Sequence, residues 1–281
     1  MTSAESTATL KVDIDKLIDL PRSLFVADEP LRLDVQLSIG ETLPLLIVAR
    51  PGADSVLILN NGAVDLERSQ GRPVFQRSTW SSEIHSHQIY VCDPGTVGDD
   101  ALSLNWMQAK MPSWMPTQVT RAARVVSAKL GAPSPDQRTY FGSSAGGYAA
   151  LIELAADRGA KAIVNNAQFD WTRWYAHQVK AVLDARYAGR LAADVRKNWP
   201  HRTSALKQLA RNDQPLRIEY WVNMASKYDR EIPLKHFDDF FARHPALCDE
   251  VAVRRYHDAA MGHNPMPQSR TIEILNSRSW I

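Results

Sequence analysis

Ser144 is the side chain of this sequence with the clearest capacity for chemistry. It lies at the centre of a Gly-x-Ser-x-Gly pattern at 142–146, between an apolar run that ends at Phe141 and an alanine-rich run. A serine at such a sharp strand-to-helix turn is lifted away from the sheet, with its hydroxyl exposed and the positive end of a helix behind it. We therefore predict that Ser144 is a nucleophile.

The residues around Ser144 also predict how negative charge on a substrate would be held. Gly142 and Gly146 leave room where strand and helix touch, since a Cβ would collide there. The Ala145 N–H would point toward a developing oxyanion, aided by the helix dipole. A second donor is expected from the loop Asn-Asn-Gly-Ala, where either Gly62 or Ala63 can supply the N–H. An Asn-Gly turn is compatible with that role.

The sequence offers two candidates for the base that would take the proton of the serine. In proteins with this kind of turn the chain order is serine, acid, then histidine after the last strand. His263 lies in a small-residue loop, Ala-Met-Gly-His-Asn-Pro, shortly beyond the last predicted strand. His257 closes that strand and is the alternative, with a backbone carbonyl as its other expected partner. We predict His263 as the base.

The acid is expected after a strand, on the same side of the sheet as the serine. Asp229 follows the predicted strand at 216–222 after a short turn, which is the expected place. Asp213 precedes that strand and lies on the wrong side, and Asp258 is close in sequence to the histidine segment. We therefore predict Asp229 as the acid.

The elements that must position these groups alternate along the chain. Strands are predicted at 31–39, 43–49, 56–59, 89–92, 138–142, 160–165, 216–222 and 251–256. Helices are predicted at 116–130, 147–157, 234–243 and 268–276. The first strand alternates apolar and polar residues, which is typical of an antiparallel strand, whereas the central ones are continuous apolar runs. The fold class is therefore α/β, with a mostly parallel central sheet and helices on both faces.

One long segment, 171–214, has no strand signal and contains two predicted helices. We interpret it as a helical cap insertion in a single domain that spans 13–281, after a flexible N-terminus at 1–12. Trp171, Trp174 and Tyr175 are predicted to bind substrate, since flat amphipathic rings stack on sugars or pack an acyl chain. The alternative is that these rings form the core of the cap.

Composition and charge exclude several classes of partner. The 33 Lys and Arg residues nearly balance 31 Asp and Glu, so we expect no nucleic-acid partner. No stretch approaches the ~20 apolar residues of a membrane span, and the N-terminus lacks a secretion signal, which predicts a cytoplasmic protein. Two cysteines and scattered histidines give no metal-ligand spacing, so no metal site is predicted.

Taken together, the turn, Asp229 and His263 resemble the α/β-hydrolase superfamily over about 31 to 277. The resemblance implies an α/β-hydrolase fold and the hydrolysis or transfer of an acyl group through a serine ester, with no metal or organic cofactor. It implies Ser144 as nucleophile, Asp229 as acid and His263 as base. The predicted oxyanion loop reads Asn-Asn-Gly-Ala rather than the His-Gly-Gly-Gly of many esterases, so lipase-type specificity is not implied.

Two shorter segments, 140–148 and 162–168, resemble a group of bacterial hydrolase-like proteins near polysaccharide and glycoprotein synthesis. That group includes an accessory component of a bacterial glycoprotein secretion system. This resemblance implies a small-molecule or carbohydrate ester as substrate, with O-acetyl transfer or removal. Two other functions stay open: a binding or assembly partner with a vestigial triad, and a serine peptidase, because the same triad serves amides and esters.

Overall fold

The computed structural model describes residues 9–212 and 214–277, and nine strands among them form one sheet. The strands are β1 (Thr9–Asp13), β2 (Leu31–Gln36), β3 (Thr42–Val48), β4 (Val56–Asn60), β5 (His87–Val91), β6 (Arg138–Ser143), β7 (Lys161–Asn165), β8 (Leu216–Asn223) and β9 (Cys248–Tyr256). Their order is β1-β2-β3-β5-β4-β6-β7-β8-β9, and only β3 runs antiparallel to its two neighbours. The predicted mostly parallel sheet is confirmed.

The helices of the described residues occur between and after the strands. They are α1 (Leu66–Ser69), α2 (Met115–Lys129), α3 (Ala145–Ala156), α4 (Ala176–Tyr187), α5 (Ala192–Asn198), α6 (Pro200–Thr203), α7 (Ala205–Leu209), α8 (Lys227–Glu231), α9 (Pro233–Arg243) and α10 (Gln268–Asn276). The four helices predicted outside the segment 171–214 correspond to α2, α3, α9 and α10. Helix α8 was not predicted, and it carries Asp229.

Side chains of the central strands alternate between two buried clusters, one on each face of the sheet. In β4, Val56 and Ile58 join the cluster that includes residues of α2, α3 and α9, whereas Leu57 and Leu59 join the one that includes α10. This period of two is what a strand buried on both faces requires. Helices therefore cover both faces, as predicted.

Helix α3 follows the serine directly and is enclosed almost completely. Eleven of its 12 residues are buried, and it contacts β6, β7, α2 and α7. A helix that is apolar on all sides belongs in the interior of a protein. The start of α3 is therefore fixed by packing from several directions.

The segment predicted as a cap contains four helices, α4 to α7, rather than two. Val182, Tyr187 and Leu209 from this segment join the same buried cluster as α2 and α3, and α7 contacts α3. The segment is thus continuous with the main core, and its role as a cap stays a prediction. Asp213 lies outside the described residues.

The N-terminus differs from the prediction of a flexible segment at 1–12. Residues 9–13 form the edge strand β1, which pairs in parallel with β2, so the prediction is wrong for 9–12. The cause is the alternation in Thr-Leu-Lys-Val-Asp, which turns Leu10 and Val12 against the core. Residues 1–8 lie outside the described residues.

Among the helices described here, none has the length and apolar character to cross a membrane.

Candidate active site

The turn from β6 into α3 holds Ser144 in a backbone conformation that few side chains adopt. Its φ is 53° and its ψ is −118°. A Cβ on Gly142 would lie 2.0 Å from the carbonyl oxygen of Gly146, and one on Gly146 would lie 2.9 Å from that of Asn60. Glycine is therefore required at both positions. The Ser144 N–H donates to Asn165 O on β7 at 3.0 Å, which holds the turn in place.

The structure brings Ser144, His263 and Asp229 into one line of hydrogen bonds. Ser144 Oγ lies 2.9 Å from His263 Nε2, and His263 Nδ1 lies 2.9 Å from each carboxylate oxygen of Asp229. The Asp229 side chain is fully buried, whereas that of His263 is 26% exposed. This arrangement can take a proton from the serine and hold the resulting imidazolium against a buried carboxylate.

His257, the alternative base, is exposed. Among the described residues, no hydrogen bond connects it to Ser144 or Asp229. The geometry thus favours His263 over His257.

Across residues 9–212 and 214–277, no group of three or more His, Cys, Asp or Glu side chains has the geometry to hold a metal ion.

Three buried asparagines at the ends of β7 and β8, which we call the asparagine scaffold (Asn165, Asn166 and Asn223), fix the loop that carries the imidazole. The two hydrogens of Asn166 Nδ2 are shared among the main-chain carbonyl oxygens of 262–264, which lie 3.2–3.4 Å from this nitrogen. Asn223 Nδ2 donates to the first of these carbonyls at 2.8 Å, and Asn165 Oδ1 accepts from Met266 N at 3.0 Å. Since all three asparagines are fully buried, these bonds lie in a low-dielectric interior, which strengthens them.

The loop after β4 holds Gly62 and Ala63, the two alternative oxyanion donors that the sequence left open. The Gly62 N–H donates to Gln76 Oε1 at 2.9 Å, and Gln76 Nε2 donates to Ala63 O at 2.7 Å. Gly62 as an oxyanion donor is therefore wrong, because its N–H already has an acceptor. The N–H groups of Ala63 and of Ala145, the first residue of α3, have no acceptor among the described residues. They form the candidate oxyanion site.

We expect Gln76→Leu to lower kcat about tenfold with a smaller change in KM, because the loop that carries Ala63 would lose the two hydrogen bonds that Gln76 makes with it. Steady-state kinetics on p-nitrophenyl acetate would measure this. Gln137→Leu is the matched control, since Gln137 also makes two hydrogen bonds to main-chain atoms, at the opposite end of β6. Equal kcat values in the two variants would contradict the role of Gln76.

Aromatic rings line the exposed side of the imidazole and form what we call the aromatic wall (Trp174, Tyr175 and Tyr228). The Trp174 ring lies 4.9 Å from that of His263, and the Tyr228 ring lies 5.8 Å from it. Tyr175 lies 4.6 Å from Trp174 and is 63% exposed. Burial, with the nearby charge of Asp229, raises the pKa of Tyr228 to about 12. The Tyr228 side chain is therefore uncharged at neutral pH.

Trp171 does not belong to this wall, and its prediction as a substrate-binding residue is wrong. Its side chain is fully buried, and its Nε1–H donates to Arg202 O at 2.9 Å. Its ring packs 5.7 Å from Trp106 and 5.8 Å from Tyr187. The alternative given above, an aromatic core for this segment, holds for Trp171, while Trp174 and Tyr175 lie at the site.

A buried carboxyl group lies beneath the candidate oxyanion loop. Glu153, on α3, is fully buried, and its Oε2 accepts from Asn60 Nδ2 at 2.7 Å. Burial raises the pKa of Glu153 to about 8, so the group carries a proton at neutral pH. No negative charge from this residue then opposes an oxyanion above it.

Sequence reasoning missed Gln168, which lies against the serine. Its Nε2 donates to Ser144 Oγ at 3.0 Å, and its side chain is 1% exposed. The signal was present, because Gln168 follows β7 at the edge of the sheet where the serine turn ends β6. A polar side chain just past a buried strand of a parallel sheet is a candidate for the site.

No family model matches this sequence, and no curated protein matches it. Solved structures do resemble it. The capsule O-acetyltransferase of Neisseria meningitidis serogroup A aligns with a TM-score of 0.62 and 12% identity over 92% of this chain and 96% of that one. A mutant of that enzyme has been solved in complex with CoA.

Two further structures resemble the chain to a similar extent. The S-formylglutathione hydrolase from Agrobacterium tumefaciens gives a TM-score of 0.59 at 12% identity, covering 89% of this chain and 92% of that one. The Glycosylation Associate Protein complex from Streptococcus agalactiae gives 0.59 at 13% identity, covering 84% of this chain and 43% of that one. At such identities these likenesses show a shared fold.

Proposed function

We propose that this chain, which has the α/β-hydrolase fold, is a serine esterase or acyltransferase that forms an acyl-enzyme on Ser144. The observation that carries the proposal is the continuous contact from Ser144 Oγ through His263 to the buried carboxylate of Asp229, at 2.9 Å in each step. Acyl transfer through a serine ester needs a hydroxyl, a base and an orienting acid in this order.

In the first half of the reaction, Ser144 Oγ attacks the carbonyl carbon of the ester while its proton passes to His263 Nε2. Asp229 accepts the Nδ1–H and stabilises the imidazolium. The carbonyl oxygen becomes an oxyanion, and we expect the N–H groups of Ala145 and Ala63 to bind it. The intermediate collapses when the alcohol oxygen leaves with the proton from Nε2, and the acyl group stays on Ser144.

In the second half, water or an acceptor hydroxyl takes the place of the alcohol. His263 accepts its proton, the new oxygen attacks the acyl carbon, and Ser144 Oγ leaves as the proton returns to it. Hydrolysis and transfer differ only in this acceptor. The likeness to a capsule O-acetyltransferase, one mutant of which was solved with CoA, supports transfer as the alternative to hydrolysis.

The aromatic wall supports a carbohydrate or other small-molecule ester as the substrate. The Trp174 ring lies beside His263 and the Tyr175 ring packs against Trp174, and such aromatic rings stack on the apolar faces of sugars. The likeness to proteins of capsule acetylation and glycosylation agrees with this class. A peptidase would use the same groups, so its test is the comparison of a p-nitrophenyl ester with the matching p-nitroanilide.

A fluorophosphonate probe tests the proposal directly, because it reacts with a serine only when a base activates that serine. We expect covalent labelling of the folded protein at Ser144, located by mass spectrometry of the digested protein. Ser143→Ala is the matched control, since it removes the neighbouring hydroxyl, which accepts from Arg77 Nη2 at 3.1 Å, and should leave labelling intact. A folded protein that does not react would favour a vestigial triad and a binding role.

A further inference from the structure

Gln168 contacts the reacting oxygen from within the core. It follows β7, and its N–H donates to the main-chain oxygen of Ser144 at 3.1 Å. Its side-chain Nε2 donates to Ser144 Oγ at 3.0 Å, so this oxygen has both Gln168 and His263 as neighbours. Two bonds from one residue to the same serine fix their relative position.

The orientation of the Gln168 amide is determined by Trp106. The indole Nε1–H of Trp106 lies 2.5 Å from Gln168 Oε1, and an indole nitrogen can only donate. The oxygen of the amide must therefore face Trp106, which leaves the NH₂ group to face Ser144. Trp106 is 2% exposed and packs against Trp171 at 5.7 Å, so this donor is held rigidly.

This orientation fixes the position of every proton along the line. An amide nitrogen has no lone pair to accept with, so Ser144 Oγ must accept from Gln168 and direct its own proton to His263. His263 Nε2 is then the acceptor, and the proton of the ring is on Nδ1, where the oxygens of Asp229 accept it. Each residue thus donates to the next: Trp106 to Gln168, Gln168 to Ser144, Ser144 to His263, and His263 to Asp229.

We propose that Gln168 is a catalytic residue, which donates to Ser144 Oγ, aims the hydroxyl proton at His263 and stabilises Oγ when the serine is expelled from the acyl-enzyme. In that step the bond between Oγ and the acyl carbon breaks, and Oγ gains negative charge until it takes the proton from Nε2. A hydrogen bond to a charged acceptor is stronger than one to a neutral acceptor. The role rests on the acyl transfer proposed above, and Trp106 is its positioning residue.

Two substitutions of Gln168 distinguish removal of the hydrogen-bond donor to Ser144 Oγ from its replacement by an acceptor. Gln168→Leu removes the donor, and we expect it to slow fluorophosphonate labelling and ester turnover about 10- to 100-fold. Gln168→Glu keeps the size and the bond from Trp106, and in its ionised form the carboxylate can only accept next to Oγ. Because burial favours the protonated form, which can donate, the variant is assayed across pH, and we expect its loss to exceed that of the Leu variant once the carboxyl group ionises and Ser144 donates to it instead of to His263.

Trp106→Phe tests the positioning role through a double-mutant cycle. As a single substitution it removes the donor that orients the Gln168 amide, so the amide can rotate by about 180° and exchange its oxygen and nitrogen. We expect labelling to slow by up to about tenfold. In the Gln168→Leu background the same change should slow labelling no further, whereas a general loss of packing would slow it in both backgrounds. Thermal melts and near-UV circular dichroism would show that each variant is folded.

Gln88→Leu is the matched control for burial. Gln88 is fully buried on β5 and accepts from Tyr90 OH at 2.7 Å, near the amino ends of the parallel strands, whereas Ser144 follows the carboxyl end of β6. We expect it to lower the melting temperature without changing the labelling rate of the folded protein. If the Leu variant of Gln168 does not fold, the nearly isosteric Glu variant decides the question.

The outcomes distinguish this role from the proposed function. Labelling and ester turnover of folded Gln168→Leu and Gln168→Glu within about twofold of the parent rates would overturn the role of Gln168, while labelling of the parent at Ser144 would leave acyl transfer intact. If the folded parent protein itself is not labelled, the proposed function fails, and the role of Gln168 fails with it.

Discussion

Ser144→Ala is expected to lower kcat/KM on p-nitrophenyl acetate by a factor of about 10⁴ or more. The substitution removes the oxygen that would carry the acyl group, and His263, 2.9 Å from that oxygen, then has no hydroxyl to deprotonate. Burst and steady-state kinetics at matched protein concentration would measure the loss. The residual rate should then come only from stabilisation by the candidate oxyanion site and from substrate binding.

Ser143→Ala is the control for this variant as well, because it changes the same turn by the same atom. Its kcat/KM should stay within about twofold of the parent value, since the neighbouring oxygen has no place in the mechanism. Ester turnover by folded Ser144→Ala at the parent rate would mean that another group performs the reaction, and the assignment of Ser144 would be abandoned.

Asp229→Asn is the second substitution for which we expect a very large effect, about 10⁴ in kcat. Asp229 accepts the Nδ1–H of His263 with both oxygens and is fully buried. An asparagine can present its NH₂ group to Nδ1, which favours the ring form with the proton on Nε2. That nitrogen then cannot accept the proton of Ser144, although the shape of the site is kept.

Asp238→Asn is the matched control, since it removes a carboxylate of α9 that is partly exposed and lies 3.7 Å from Arg255. We expect no more than a twofold change in kcat, because surface ion pairs contribute about 1 kcal/mol or less to stability. Similar losses in both aspartate variants would point to a general electrostatic effect and would contradict an orienting role for Asp229.

The residues that sequence could predict obey rules of spacing and chain order. Ser144 lies in a motif whose glycines are dictated by local contact, since a Cβ on Gly142 would lie 2.0 Å from another backbone atom. Asp229 and His263 follow from the order of strands, because the carboxyl ends of parallel strands share one edge of a sheet. Their contacts in the structure fit that order.

The rest of the site depends on packing between distant segments, which leaves no local pattern. Trp171 and Trp174 are three residues apart in one segment, yet one is buried in the core and the other lies beside the imidazole. Gly62 is excluded as an oxyanion donor only by the hydrogen bond from its N–H to Gln76, 14 residues away. The contact of Gln168 with Trp106 spans 62 residues. Such pairs are set by tertiary structure rather than by periodicity.

The asparagine scaffold has a consequence for how proteins of this design can diversify. The scaffold binds the loop that carries His263 through main-chain carbonyls at 262–264. Most side chains of that loop can therefore be substituted without moving the imidazole. The segment with the aromatic wall residues Trp174 and Tyr175 branches off between β7 and β8, after the anchoring amides of β7. We therefore expect mutations in this segment to change substrate preference while the positions of Ser144, His263 and Asp229 stay the same.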